Sequence, residues 1–429
     1  MRKDAGKKAF ILLVAAVVLI VAGCGSGKPF SYAVVTESTE EEQADEERGD
    51  EGGAKESRDR ENREGQRGEE DIADIYYDIY GEAIRADTAD SPEMMRKFIE
   101  ELGRAGYTAV DCGNQMNMVN PEAMIQFCQA VEDGRPEEAA VAVPDYKGGI
   151  LLYELKTEKG EVEVAREYAQ YGNGKLEKKS RAVYRAEEWR YTEDGYLFFG
   201  GSFYTAESYV LVMDDEPEHA ALRVAPLDEA CRELNRKYIL PVGYRQNNLF
   251  LTDWSEEDFA DVCFYDAFDV LYERANGFAS PYGMDRNPNM GVVYHIPEQE
   301  FENVIMRYFR MNEEELRLRT AYLPEEKAYE YRPRGFYELG YSDFPYPEVV
   351  SYEEKKDGTI ELTVNAVFPY EYTDKAYSHK VIIRPFADGR FQYVSNQIQP
   401  PGYYDIWWYS ERLTKKGWEE LYGEGEIRR

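Results

Sequence analysis

The sequence predicts an α+β protein: after a polar leader come two parts, each with helices first and an antiparallel β meander second. Three observations predict it. Apolar residues recur at helical spacing over 71–134 and again from Leu227 to Glu325. Between and after these stretches the pattern changes to short β-rich runs. The breaks between those runs are brief and rich in Gly, which suits hairpins rather than alternating βαβ units.

Each element has a local reason. In "SPEMMRKFIEELGRAG" Ser91 is placed to cap a helix with Pro92 at its first position, and "NPEAMIQFCQAVEDG" repeats the device with Asn120 and Pro121, stopping at Gly134. From Ala140 to Met213 the runs "GILLYEL", "GEVEVAREYAQY", "SRAVYRAEEWRYT", "GYLFFGGSFYT" and "SYVLVM" read as one meander of five or six strands. A helix at "PLDEACRELNRKY" and a short β segment at "LFLTDW" follow. "WSEEDFADVCFYDAFDVLYERANG" predicts a helix from Ser255, with Asp258 three residues on, to Gly277. Phe301, Val304, Ile305, Tyr308 and Phe309 make a full apolar helix face. Asn312 and Glu315 cap the next helix. "PEVVSYEEK", "GTIELTVNAVFPYEY", "SHKVIIRPF" and "GRFQYVSNQI" form the second meander, with Asp-Gly turns, and a last helix follows Thr414.

The leader suggests an address. "MRKDAGKK" is basic, and about fifteen uncharged residues follow, rising roughly 22 Å as a helix against the ~30 Å of a hydrocarbon core. That is a signal peptide over 1–23 rather than a spanning helix. Val21-Ala22-Gly23-Cys24 resembles the lipobox of bacterial lipoproteins. The resemblance implies a diacylglyceryl group on the Cys24 sulfur, which brings two acyl chains such as palmitate to the first mature residue. Two chains anchor stably where one is marginal. Residues 36–71 carry 16 acidic and six basic side chains with five glycines and no aromatic residue. Such a composition predicts a disordered acidic tether over 24–71. The remaining chain divides into an N-terminal part, 72–250, and a C-terminal part, 251–429.

A net charge of −33 repels phosphate backbones and excludes nucleic acid as a partner. The four cysteines beyond Cys24 form no C-x-x-C pair. Cys128 and Cys263 lie in apolar helical patterns, so buried, reduced thiols are expected.

Motifs for chemistry are sparse. His219, His295 and His379 do not pair at metal-ligand spacing, and H-E-x-x-H, G-x-S-x-G, a P-loop and a G-x-G-x-x-G turn are absent. No metal or cofactor is expected. "DRNPNMG" is rich in oxygen ligands but lacks the terminal Glu of a calcium loop. Asp266 stands out because it shares an inward stripe with Phe259, Cys263, Ala267 and Val270, where a carboxylate is paired or acquires a raised pKa. It is the candidate acid or base. In the loop from Asn276 to Gly291, Asp285, Asn287 and Asn289 are the candidate binding residues.

"IPEQEFENVIMRYF", "LRTAY", "DGTIELTVNAVFPYEYTDKAYSHKVIIRP", "DGRFQYVSNQI" and "ERLTKKGWEELYG" resemble the C-terminal half of an uncharacterised lipoprotein family of Gram-positive, clostridia-type bacteria, over roughly 240–429. The resemblance implies an address outside the cytoplasm and brings no catalytic residue. The sequence therefore favours a non-catalytic, membrane-tethered binding or interaction module, with an extracellular ligand or an envelope protein as its partner. The alternative is an envelope hydrolase acting on glycan or peptide through paired carboxylates, one of them Asp266.

Overall fold

The computed structural model describes residues 72–428 apart from 87, 173, 203–217, 285–290, 336–337, 339–342 and 400–405. The signal peptide, Cys24, the tether, the run "SYVLVM" and the loop candidates Asp285, Asn287 and Asn289 lie outside the described residues.

The chain is a mixed α+β protein. A π-helical turn, Tyr76–Tyr80, leads into α1 (Gly81–Ala86), then α2 (Pro92–Arg104) and α3 (Glu122–Asp133). Ser91 Oγ accepts the Met94 N–H at 3.1 Å, with Pro92 at the first position, and Gly134 closes α3 in the left-handed region at φ 65°. Strands β1 (Glu137–Pro144), β2 (Gly149–Glu158), β3 (Glu161–Gly172) and β4 (Lys175–Arg185) form one antiparallel meander. One buried cluster packs α3 against this sheet, and another packs α2 and the π-helical turn.

The single meander expected here is two sheets. β5 (Glu188–Tyr191), β6 (Tyr196–Gly200) and β7 (Ala220–Arg223) form a separate three-stranded sheet. The reason lies in β6, whose five residues are all buried. Leu197 and Phe199 join the core of the first sheet, while Tyr196 and Phe198 pack with Val367 of the second half. A strand covered on both faces cannot lie at the solvated edge of an antiparallel sheet.

After β7, α4 (Glu229–Leu234) runs into a π-helical turn. Cys231, Tyr238, Ile239, Tyr244 and Leu249 belong to the large C-terminal core, together with Phe301, Val364 and Tyr393. That core lies between α5 (Phe264–Asn276), α6 (Glu298–Tyr308) and a five-stranded sheet. The sheet order is β12 (Tyr346–Glu354), β13 (Ile360–Val367), β14 (Ser378–Pro385), β15 (Phe391–Gln399) and β8 (Trp254–Ser255). A smaller sheet comprises β10 (Tyr322–Leu323), β11 (Ala328–Tyr331), β9 (Val292–Pro297) and the C-terminal β16 (Glu426–Arg428), β16 running parallel to β9. Asn312 Oδ1 caps α7 (Glu313–Leu318) through the Glu315 N–H at 2.9 Å. Thr414 Oγ1 caps α8 (Lys415–Tyr422) through Gly417 at 3.2 Å.

The helix expected from Ser255 begins only at Phe264. Trp254 and Ser255 pair with Asn396 and Ser395 at the sheet edge, and Arg384 holds both oxygens of Glu256 at 2.9 Å. Ala260 then takes a positive φ of 43°, which a helix cannot continue through. The β segment expected at "LFLTDW" contracts to β8, and residues 249–252 are turn. All four described cysteines carry no disulfide, with Cys128 and Cys231 buried.

Candidate functional site

Asp266 is fully buried, one turn into α5, and it is enclosed by cations. Arg334 approaches side-on, Nε to Oδ1 at 2.9 Å and Nη2 to Oδ2 at 2.7 Å. Arg412 Nε donates to Oδ1 at 2.9 Å, and Tyr409 Oη to Oδ2 at 3.0 Å. Beside it, Asp269 accepts from Tyr331 Oη at 2.6 Å and pairs with Arg412; burial raises its pKa above the usual carboxylate range. Two carboxylates thus face two guanidiniums in a balanced knot, fully buried at Asp266 and partly open to solvent at Asp269. Every Asp266 lone pair has a donor, so nothing on this side chain is left to take or give a proton to a substrate.

Two of the three histidines, His379 and His295, are likewise engaged. His379 is buried between Asn396 Oδ1 at 2.6 Å and Tyr244 Oη at 2.9 Å, and burial lowers its pKa to about 4. His295 pairs with Glu326 at 2.8 Å. Among the described residues, no cluster of three His, Cys, Asp or Glu side chains could hold a metal ion, and no helix is long and apolar enough to cross a membrane. Shallow concavities of about 240 and 320 Å³ flank α4, sharing Glu233 and Lys237. Arg96 and Arg236, in the larger, both bind Glu229, so its charges are already matched.

A different region gathers aromatic and unpaired polar groups. β13 ends at Val367, and Pro369–Glu371 form a 3₁₀ turn that closes with Tyr372 in the left-handed region at φ 50°. A tyrosine there carries strain that the surroundings must enforce. Tyr372 Oη donates to the Glu218 carbonyl at 3.3 Å. At Gly200 a Cβ would meet that same carbonyl at 2.0 Å and Tyr372 Oη at 2.2 Å, so the close approach of β6 requires glycine. Glu218 is itself fixed: its carboxylate accepts from Tyr153 at 2.7 Å and Tyr184 at 2.6 Å, and pairs with Arg166 at 3.1 Å.

With Glu218 anchored, His219 lies between Tyr370, ring centroids 4.8 Å apart, and Tyr372, at 5.0 Å. The rings continue without a break. Tyr370 meets Trp407 at 5.7 Å and Phe368 at 6.0 Å; Phe368 meets Trp407 at 5.6 Å and Trp408 at 5.2 Å. Tyr370 is 42% exposed, Trp407 is half-buried, and Trp407 Nε1 donates to Glu371 at 3.1 Å. Both His219 ring nitrogens and the Trp408 indole N–H are buried with no hydrogen-bond partner. Burial lowers the His219 pKa against the opposing pull of Asp343 and Glu218, which keeps the ring neutral at pH 7. Burial and the carboxylates of Glu188, Glu187 and Glu218 push Tyr372 up to about 12.

Spacing along the chain gives His219 no metal-ligand partner and does not join it to the aromatic residues of 368–372 and 407–408. The signal that could have marked the shelf is the aromatic density of "FPYEY" and "IWWY" outside regular strand spacing.

Fold and site together define a mixed α+β protein with an aromatic cluster, exposed at Tyr370, that joins His219 to residues 368–372 and 407–408. The chain belongs to the family of unknown function DUF6070, whose model matches residues 62–412 and so takes in both halves. No curated protein and no solved structure matches it.

Proposed function

We propose that this protein is a lipid-anchored, extracytoplasmic binding module that uses the shelf of Tyr370, Tyr372, Trp407 and His219, backed by the buried Phe368, to hold a ligand outside the cell. The observation that carries the binding role is the coexistence, in one ring cluster, of exposed aromatic surface with buried polar atoms that lack partners. Buried polar groups are ordinarily satisfied, and large exposed aromatic groups ordinarily mark contact surfaces. The Asp266 knot supports the same choice over hydrolysis, because the carboxylate singled out for acid–base work is consumed by Arg334 and Arg412.

The anchor rests on the tetrapeptide ending at Cys24 and on the apolar run before it. The acidic stretch to Asp71 then serves as reach: about 48 residues of coil span roughly 40 Å and hold the body clear of the bilayer. Labelled palmitate is expected to follow the wild-type chain into the membrane fraction and to be lost with Cys24→Ala. Label-free protein remaining in the cytosol at precursor mass would end the anchored reading. For the shelf, the full chain in detergent is expected to retain envelope fragments that the Tyr370→Ala, Trp407→Ala double variant releases.

A further inference from the structure

Resting on that binding reading, we propose that the ligand of the shelf is a neutral carbohydrate, bound through a pyranose ring laid against Tyr370 and Trp407 with its hydroxyls served by His219, Trp408 and Glu371. A pyranose has an apolar C–H face and an equatorial rim of hydroxyl groups, each both donor and acceptor. The shelf offers the complement of both. Tyr370 and Trp407 supply ring surface, their centroids 5.7 Å apart and their planes inclined by 64°, and Phe368 backs them at 6.0 and 5.6 Å. Aromatic faces of this kind pack against apolar C–H surface and favour rigid, flat partners.

The polar requirement narrows the class. A neutral imidazole has one donor and one acceptor nitrogen, and in His219 both are buried and unpartnered. The Trp408 indole N–H, in a side chain 5% exposed, is a further donor without a partner. The cluster therefore calls for a ligand that both accepts and donates. Hydroxyl groups do both, whereas a quaternary ammonium ion does neither and an aliphatic chain does nothing for these atoms. Glu371, held by Trp407 Nε1, adds a carboxylate that accepts from hydroxyls. The surroundings exclude anionic sugars: Glu187, Glu188, Glu218 and Asp343 act on Tyr372 or His219, and a carboxylated or phosphorylated ring would be repelled.

The test is a tryptophan-fluorescence titration of the full chain with chitotetraose, maltotetraose and cellotetraose, and with tetramethylammonium chloride as a cationic comparator, at up to about 10 mM. Saturation by at least one neutral oligosaccharide is expected. It should weaken by about tenfold in Tyr370→Ala, which removes a ring contact. It should weaken by roughly three- to tenfold in His219→Phe, which keeps the ring contact and removes both nitrogens. Far-ultraviolet circular dichroism of both variants establishes that they are folded. Saturation undiminished in both folded variants overturns the proposal, as does the absence of saturation by every oligosaccharide. Saturation by tetramethylammonium alone overturns the carbohydrate assignment. Envelope fragments still retained through Tyr370 in either of those last two cases would leave the binding reading standing, whereas loss of that retention as well would remove both.

Discussion

The Asp266 knot and the His219 shelf are both concentrations of polar and aromatic side chains, yet they differ in what remains unsatisfied. Around Asp266 each carboxylate oxygen has its donors, two aspartates balance two arginines, and the side chain has no exposure. Around His219 the rings reach solvent at Tyr370, and three buried nitrogens have no partner. A buried charge surrounded in this way holds the C-terminal segment onto α5; it joins residues 266, 334 and 412. Incomplete satisfaction beside an exposed surface is the better sign of a site. Burial alone does not separate the two.

The largest expected effect breaks the first region. Asp266→Asn leaves the buried guanidiniums of Arg334 and Arg412 with the single carboxylate of Asp269 between them and should cost about 3–5 kcal/mol in urea unfolding. Ligand binding by the fraction that stays folded should not change. A loss under about 1 kcal/mol would mean that the knot is solvated and that Asp266 is available for chemistry.

The enclosed histidine gives a pH signature. With a folded-state pKa of about 4 against an ordinary 6.5, His379 takes up its proton in the unfolded chain first. The unfolded state therefore binds more protons between these values, and stability should fall by about 3 kcal/mol as pH drops from about 6.5 to about 4. Comparing the unfolding free energies of wild type and His379→Gln over that window isolates this contribution. A difference independent of pH would place His379 in contact with water.

Gly200→Ala sharpens the second region by disturbing its foundation. The new methyl group collides with the Glu218 carbonyl and Tyr372 Oη, and a loss of about 1–3 kcal/mol is expected by thermal or urea unfolding. The smallest stability effect is at Tyr370. Truncating this 42% exposed ring to alanine should change stability by about 1 kcal/mol or less while weakening binding about tenfold. The two regions thus predict opposite pairings of stability and binding.

Much of the fold could be read from the chain, because helix caps and alternation are local. Ser91, Gly134, Asn312 and Thr414 all act where their spacing predicts, whereas Asn120 does not cap α3: it takes a positive φ of 50°, its amide donates to the Gly103 and Tyr107 carbonyls, and Pro121 stands at the N-cap. The failures are tertiary. β6 leaves the first meander because its outer face is covered by Val367, 167 residues after Gly200, and no period in "GYLFFG" reports that cover. The helix from Ser255 gives way to a sheet edge whose partner strand lies at 395–396. The same limit applies to the sites. The inward position of Asp266 was legible, but Arg334 and Arg412 lie 68 and 146 residues away along the chain, so its neutralisation was not. His219 appeared to be a loop residue because Tyr370 and Tyr372 reach it only through the 3₁₀ turn after β13.

The most direct measurement is retention of envelope material by Tyr370→Ala beside the wild-type chain, with the unfolding free energy of each determined in the same preparation. The account predicts equal stability to within about 1 kcal/mol and lost retention. Retention unchanged in a variant of equal stability would contradict it.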